Sequence, residues 1–231
     1  MNPRTMPQRS GQPAAAGLSG LVLVVHGGRS MGTEPTTPVQ LSVLRMIPIA
    51  RAIGHAVRGH KIEVWRPRFR VRGWNGDEAS PVRDLSELLA EIADGPTPPP
   101  VLLVGHSMGA RAALRVAGHP LVSGVAGLAP WLPSGEPVEQ LAGRRVLLVH
   151  GDADSVTSPA GTWAYARRAR AVVPTAAIEV RGGDHAMLRR PRVWHQLAAE
   201  FARESFGLPP GDAAARRAIS PGAGPPAPVI L

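Results

Sequence analysis

The sequence predicts an α/β fold: a mostly parallel sheet of about six strands with helices on both faces. Three observations carry that expectation. Short apolar runs rich in Val, Leu and Ile recur along the 231 residues, as strands buried on both faces require. Stretches with apolar residues at helical spacing alternate with those runs, the pattern of strand–helix–strand units. Several runs end in clusters of Gly, His, Ser or Asp, and the carboxyl ends of parallel strands are where such folds place a site.

Residues 1–19, rich in Pro, Gly, Ser and Gln, read as a disordered arm, and the folded domain is expected over 20–206. Residues 21–25 are continuously apolar and form the first strand, followed by His26-Gly27-Gly28. Over 38–58, Val39, Val43, Ile47, Ala50, Ile53 and Val57 share helical spacing, and Pro48 is expected to kink or divide that helix. Residues 62–65 form a second strand, leading to a basic loop with Arg66, Arg68, Arg70 and Arg72. Residues 81–94 are a helix with Leu85, Leu88, Leu89 and Ile92 on one side, Ser80 as its N-cap and Pro81 at its first position. Further strands are expected at 101–104, 121–128, 146–149 and 176–180. Helices are expected after the first of these, over about 159–172, and over about 191–206, where Val193, Leu197 and Phe201 share a face. The Pro/Gly/Ala-rich residues 207–231 read as a flexible tail.

Composition narrows the function classes. With no cysteine, disulfides, a thiol nucleophile and thiolate metal sites are excluded. The net charge of +9 would suit nucleic acid, but every basic residue except Lys61 is arginine and the arginines are dispersed, which reads as a compositional bias. Nucleic acid is therefore not an expected partner. No uninterrupted apolar stretch is long enough to span a membrane, and a membrane is not expected either. Arg4, Arg9 and the small residues at 14–17 faintly resemble a secretion leader, yet the following apolar run leads straight into His26-Gly27-Gly28. That run reads as a core strand and the protein as cytoplasmic.

The stretch Val101-Leu-Leu-Val-Gly105-His106-Ser107-Met108-Gly109-Ala110 organises the chain. A Gly-x-Ser-x-Gly between a strand and a helix lifts the serine hydroxyl clear of the sheet on a strained turn, and flanking glycines avoid the clashes of that turn. The backbone N–H of Met108 then points to where an oxyanion would form. A serine nucleophile needs a base, and the base an orienting acid, in the chain order Ser, acid, His for this turn. His119 and His150 come too early, and His195 lies within the last helix. His185, in the turn Gly182-Gly183-Asp184-His185, remains as the base. For the acid, Asp152 and Asp154 compete, since Asp152 could instead cap its own turn; Asp184 adjoins His185 and would diverge from the ring.

Together, His26-Gly27-Gly28, Gly105-His-Ser-Met-Gly109, His150-Gly-Asp-Ala-Asp154-Ser-Val156 and Gly183-Asp-His185 resemble the α/β-hydrolase superfamily over about residues 20–206. The resemblance implies Ser107 as nucleophile, Asp154 as acid, His185 as base, and an oxyanion hole from the N–H groups of Gly28 and Met108. Only residues 129–145 separate two strands where many relatives insert a helical cap, so a small, lidless enzyme with an open cleft is expected. Its layout is similar to dienelactone hydrolases, with serine where those use a thiol.

The expected activity is hydrolysis of carboxylic esters through an acyl-enzyme, with a small-molecule acyl substrate and neither metal nor organic cofactor. The same apparatus would serve thioesters, amides or acyl transfer, and a non-catalytic binder on this scaffold is the rival from another class. Trp131, beyond the strand at 121–128, is a candidate pocket wall or a core residue, with His26, Trp74 and Asn75 as weaker pocket candidates. Arginines 66, 68, 70 and 72 would alternate onto one side of an extended segment, as an electropositive rim or, more simply, a solvated strip.

Overall fold

A computed structural model describes residues 17–220 and 229–231. Most of the arm expected at the amino terminus therefore lies outside the described residues. The six expected strands are present: β1 (Gly20–Val25), β2 (Ile62–Trp65), β3 (Val101–His106), β4 (Val122–Leu128), β5 (Arg145–Gly151) and β6 (Thr175–Val180). A two-residue β7 (Val229–Ile230) adds a seventh, and all pair in parallel in the order β2-β1-β3-β4-β5-β6-β7.

Alternation along each strand divides the core into two layers. Leu21, Leu23 and Val25 belong to the layer with α3 (Ser80–Ala93), α4 (Met108–Arg115) and α5 (Pro159–Ala169), in which Leu85, Leu89, Ala113 and Tyr165 are buried. Val22 and Val24 belong to the layer with α2 (Met46–Ala56), α6 (Pro191–Ser205) and α7 (Ala213–Ile219), in which Ile49, Ile53, Trp194 and Leu197 are buried. Every residue of β1 and β3 is buried, which is why these strands read as unbroken apolar runs.

Three local expectations change. The helix predicted over 38–58 divides at Arg45, between α1 (Leu41–Leu44) and α2, rather than at Pro48. Pro48 sits in the first turn of α2, where its missing N–H would have had no partner within that helix. Ser80 is not the N-cap of α3 but its first residue: Ala79 occupies the cap, and the buried Ser80 hydroxyl accepts from Asn75 Nδ2 at 3.1 Å. Where composition predicts a flexible tail, residues 213–219 form α7. Asp212 caps it by accepting from the N–H groups of Ala214 and Ala215, and Ala215 and Ile219 bury themselves against α6. Glu200 secures the approach by accepting from the N–H groups of Gly211 and Asp212.

Between β4 and β5 there is only a loop with one turn of 3-10 helix at Glu139–Leu141, so no cap covers the sheet edge. The sheet order reverses at β1, with β2 on one side and β3 on the other. The carboxyl ends of β1 and β3 thus flank the switch point where such sheets open a crevice. Bridges between Arg29 and Gly73 and between Pro35 and Val71 tie the basic loop to the chain leaving β1, at that same crevice.

Candidate active site

Ser107 stands between β3 and α4 with φ 52° and ψ −117°, in the left-handed half of backbone space that a residue with a Cβ enters only under strain. Its surroundings compel that turn. Its N–H donates to Leu128 O at 3.1 Å, and its carbonyl accepts from Arg111 N at 3.2 Å and Trp131 N at 3.3 Å. A Cβ on Gly105 would lie 2.6 Å from the Ala110 backbone, and one on Gly109 would lie 2.3 Å from His26 O. Only glycine lets β1, β3 and α4 meet this closely. As the first residue of α4, Met108 has an N–H without an intrahelical acceptor. Its side chain lies against Gly28 of the neighbouring loop, where a Cβ would come 2.4 Å from Met108 Cε. Arg29 N donates to Arg72 O at 2.9 Å and holds that loop to the strand side of the crevice.

Asp154 and His185 meet. Asp154 Oδ2 accepts from His185 Nδ1 at 2.8 Å, and the carboxylate is fully buried while the imidazole remains partly exposed. Asp154 Oδ1 accepts from the N–H groups of Val156 (2.7 Å) and Thr157 (2.9 Å), and Oδ2 also accepts from Thr157 Oγ1 at 2.9 Å. Burial alone would raise this carboxyl, but the N–H groups of Thr157 and Val156 and the His185 ring hold it down at about 2. It is an anion throughout the neutral range. Asp152 takes the other role open to it, accepting from Gly182 N at 2.5 Å, and Asp184 turns away to accept from Arg189 N at 2.8 Å.

Since a carboxylate oxygen only accepts, the proton of His185 is on Nδ1 and its Nε2 is free to accept. Among the described residues Ser107 Oγ makes no hydrogen bond to that nitrogen. Such contacts are often long in an unliganded site and tighten around substrate.

Two histidines outside the expected set support this arrangement. His106 Nε2 donates to the His185 carbonyl at 2.8 Å, and the two rings lie 4.8 Å apart. Burial and the nearby His185 ring lower His106 to about 3, so it is neutral. His150, at the end of β5, donates from Nε2 to Asp154 Oδ2 at 3.0 Å. Both belonged to motifs visible in the sequence, but their partners lie across turns whose closure spacing alone does not show.

The weaker pocket candidates are placed differently. His26 is 3% exposed, with Nδ1 donating to Gly27 O at 2.7 Å and Nε2 accepting from Phe69 N at 3.2 Å. Burial lowers it to about 4. It braces the basic loop from inside and does not face an open cleft. Trp74 is buried too, at 4% exposure, so it forms no open wall. Trp131 packs edge-on to it with centroids 6.0 Å apart, and the Arg111 guanidinium lies 3.7 Å from the Trp74 centroid and 4.5 Å from that of Trp131. Buried Glu136 pairs with both Arg111 and Arg115, each at 2.6 Å. Trp131 is thus a half-buried residue one hydrogen bond from Ser107, with part of its surface covered by Arg111. Asn75 closes turns, accepting from Gly32 N at 2.9 Å.

Arginines 66, 68 and 70 do alternate outward against buried Pro67 and Phe69. Arg70 is engaged by Asp84 and Glu87, and Arg72 by Pro35 O. Among the described residues no group of three or more His, Asp or Glu side chains is arranged to hold a metal. Nor is any helix of the described residues long and apolar enough to cross a membrane.

A sequence profile described as "Alpha/beta hydrolase family" matches residues 22–230. No curated protein matches the chain in sequence. Among solved structures, Est1E from Butyrivibrio proteoclasticus superposes with a TM-score of 0.63 at 12% identity, over 87% of this chain and 92% of its own. An esterase domain from a Rhodothermus marinus protein gives 0.58 at 18% identity, covering 90% and 91%. A lidless α/β serine hydrolase from Xanthomonas campestris gives 0.58 at 19% identity, covering 87% and 88%. At these identities the likeness is one of fold.

Proposed function

The chain belongs to the alpha/beta hydrolase family, and from that premise we propose that it is a serine hydrolase that cleaves carboxylic esters. The observation that carries the reading is the 2.8 Å bond from His185 Nδ1 to a fully buried, anionic Asp154, at the sheet edge where Ser107 holds its strained turn. That bond leaves His185 Nε2 as the acceptor for the Ser107 proton.

The Ser107 oxygen attacks the ester carbonyl as His185 takes its proton. The N–H groups of Gly28 and Met108 receive the oxyanion, with the amino end of α4 adding favourable potential. Collapse expels the alcohol, which His185 protonates, and water then attacks the acyl-serine with His185 again as base. Asp154 keeps its charge throughout and stabilises the imidazolium.

The loop between β4 and β5 leaves the edge uncapped, which favours soluble or bulky acyl substrates. Est1E has also been solved with ferulic acid bound, which is a property of that protein.

Fluorophosphonate labelling read by intact mass tests the reading. One adduct on the wild type, absent from Ser107→Ala and His185→Ala, is expected, followed by turnover of p-nitrophenyl esters. A folded wild type that neither labels nor turns over esters would overturn the reading in favour of a binding role. Turnover confined to thioesters, or product transfer to an added alcohol, would redirect it to those acyl chemistries.

A further inference from the structure

His150 shares an oxygen with the proposed base. Asp154 Oδ2 accepts from three donors: His185 Nδ1 at 2.8 Å, Thr157 Oγ1 at 2.9 Å and His150 Nε2 at 3.0 Å. His150 is itself 0% exposed, and its Nδ1 lies 2.7 Å from Oγ1 of Thr162, which is also buried completely. A neutral imidazole has one donor and one acceptor. The carboxylate can only accept, so the proton is on Nε2, and Nδ1 accepts a hydrogen bond from the Thr162 hydroxyl. Both nitrogens are satisfied in a single tautomer, and the ring cannot rotate without losing both bonds.

From this geometry we infer that His150 is a positioning residue. Its neutral ring, oriented by Thr162, holds the Asp154 carboxylate in the rotation that serves His185 and withdraws part of that carboxylate's charge from His185. The inference rests on the serine-hydrolase reading for its kinetic consequences, though not for its geometry. Burial lowers His150 to about 4 against the pull of Asp154, so it stays uncharged while the enzyme works. Also close to this cluster are His106, whose ring adjoins His185 and which burial keeps neutral, Arg45, which acts on both His106 and Asp184, and Asp184 itself, next to His185 in the chain and bonded to Arg189 N. The charge shared by His185 and His150 is that of Asp154.

Removing the His150 donor concentrates that charge on His185 and favours its imidazolium form. The acidic limb of the kcat/KM profile should therefore move to higher pH. In His150→Leu we expect that upward move of the limb and a fall in kcat, with KM almost unchanged because the ring does not reach the cleft. His150→Gln places an amide N–H near the same oxygen and should restore the wild-type limb and most of kcat. Thr162→Val removes only the partner of Nδ1 and should give a smaller change in the same direction.

An unmoved acidic limb in His150→Leu, or equal losses for Leu and Gln, would overturn the inference and leave His150 as packing alone. If His150→Leu does not fold, the Gln and Thr162→Val profiles decide: Gln must match wild type while Thr162→Val shifts. Imidazole 15N spectra give a readout independent of catalysis, and a proton on His150 Nδ1 rather than Nε2 at neutral pH would refute the geometry. A wild type without labelling or turnover would instead strike the serine-hydrolase reading, and the spectra would still test the placement of His150.

Discussion

Three histidines are buried in uncharged form, and together they should make the fold sensitive to acid well above the carboxylate range. His26, His106 and His150 are 3%, 1% and 0% exposed, and burial lowers them to about 4, 3 and 4 from the ordinary 6.5. An unfolded chain binds protons at these rings below about pH 6.5 while the native protein does not, so stability falls as pH falls through that window. The contribution is complete above the unfolded value and is lost progressively towards the folded ones. At pH 5 the deficit is about 2 kcal/mol per ring at 1.36 kcal/mol per unit, or about 6 kcal/mol for three. Asp154 lies outside this window because its carboxyl is held down at about 2, while half-buried Asp84, raised by desolvation, acts weakly in the opposite direction. Set against the roughly 5–15 kcal/mol of a typical domain, such a loss brings the protein close to its unfolding midpoint near pH 5. Urea titrations followed by tryptophan fluorescence at pH 7, 6, 5.5 and 5 measure it directly. The slope below pH 6 should correspond to the uptake of nearly three protons on unfolding, and His26→Asn should remove about one. Stability at pH 5 within about 1 kcal/mol of that at pH 7 would refute the reasoning.

Asp154→Asn should lower kcat/KM on an ester by about ten-thousandfold, the scale seen when the equivalent acid of a serine-protease triad is changed in this way. Its stability should also fall by about 2 kcal/mol at pH 7, from the lost depression of its carboxyl; activity within tenfold of wild type would remove Asp154 from the mechanism. Ser107→Gly should be more stable than Ser107→Ala by about 1 kcal/mol in thermal or urea melts, because glycine alone accepts φ 52° without strain, and a less stable glycine variant would contradict the strained turn. Glu136→Gln should cost about 3 kcal/mol or more, since it leaves Arg111 as a buried cation between Trp74 and Trp131 without its counter-charge. Its tryptophan emission should shift as well, whereas unchanged melting and emission would mean that the two rings alone hold the guanidinium.

What was legible in the sequence followed from patterns that act over a few residues. The strands at β1 and β3 could be read because burial on both faces demands unbroken apolar runs, and the turn at Ser107 because its glycines meet backbone 2.3–2.6 Å away. The competition between Asp152 and Asp154 could not be decided by spacing. Tertiary contacts separate the two, since Asp152 reaches Gly182 N while Asp154 turns inward to His185. Within the expected tail, residues 211–219 misled for a related reason, while 221–228 lie outside the described residues. Ala, Pro and Gly read as mobile, yet Asp212 caps α7 and Glu200 waits beneath it, a partner twelve residues upstream that composition cannot weigh.

The aromatic candidates show the limit from the other side. Trp74 and Trp131 invited a pocket reading because aromatics are scarce, but scarcity does not say what a ring packs on. Here the two rings clasp Arg111, which begins one turn after Ser107 on α4 and is neutralised by Glu136 from the loop that replaces a cap. That clasp joins the uncapped loop to the strained turn through the Trp131 N–H on Ser107 O. A lidless hydrolase still has to order the segment crossing its open edge, and a buried ion pair between two indoles does so locally. Disrupting Glu136 should therefore reach the Ser107 turn as well as the stability of the loop, and it is in kcat, with labelling at Ser107 slowed in parallel, that the connection would be seen.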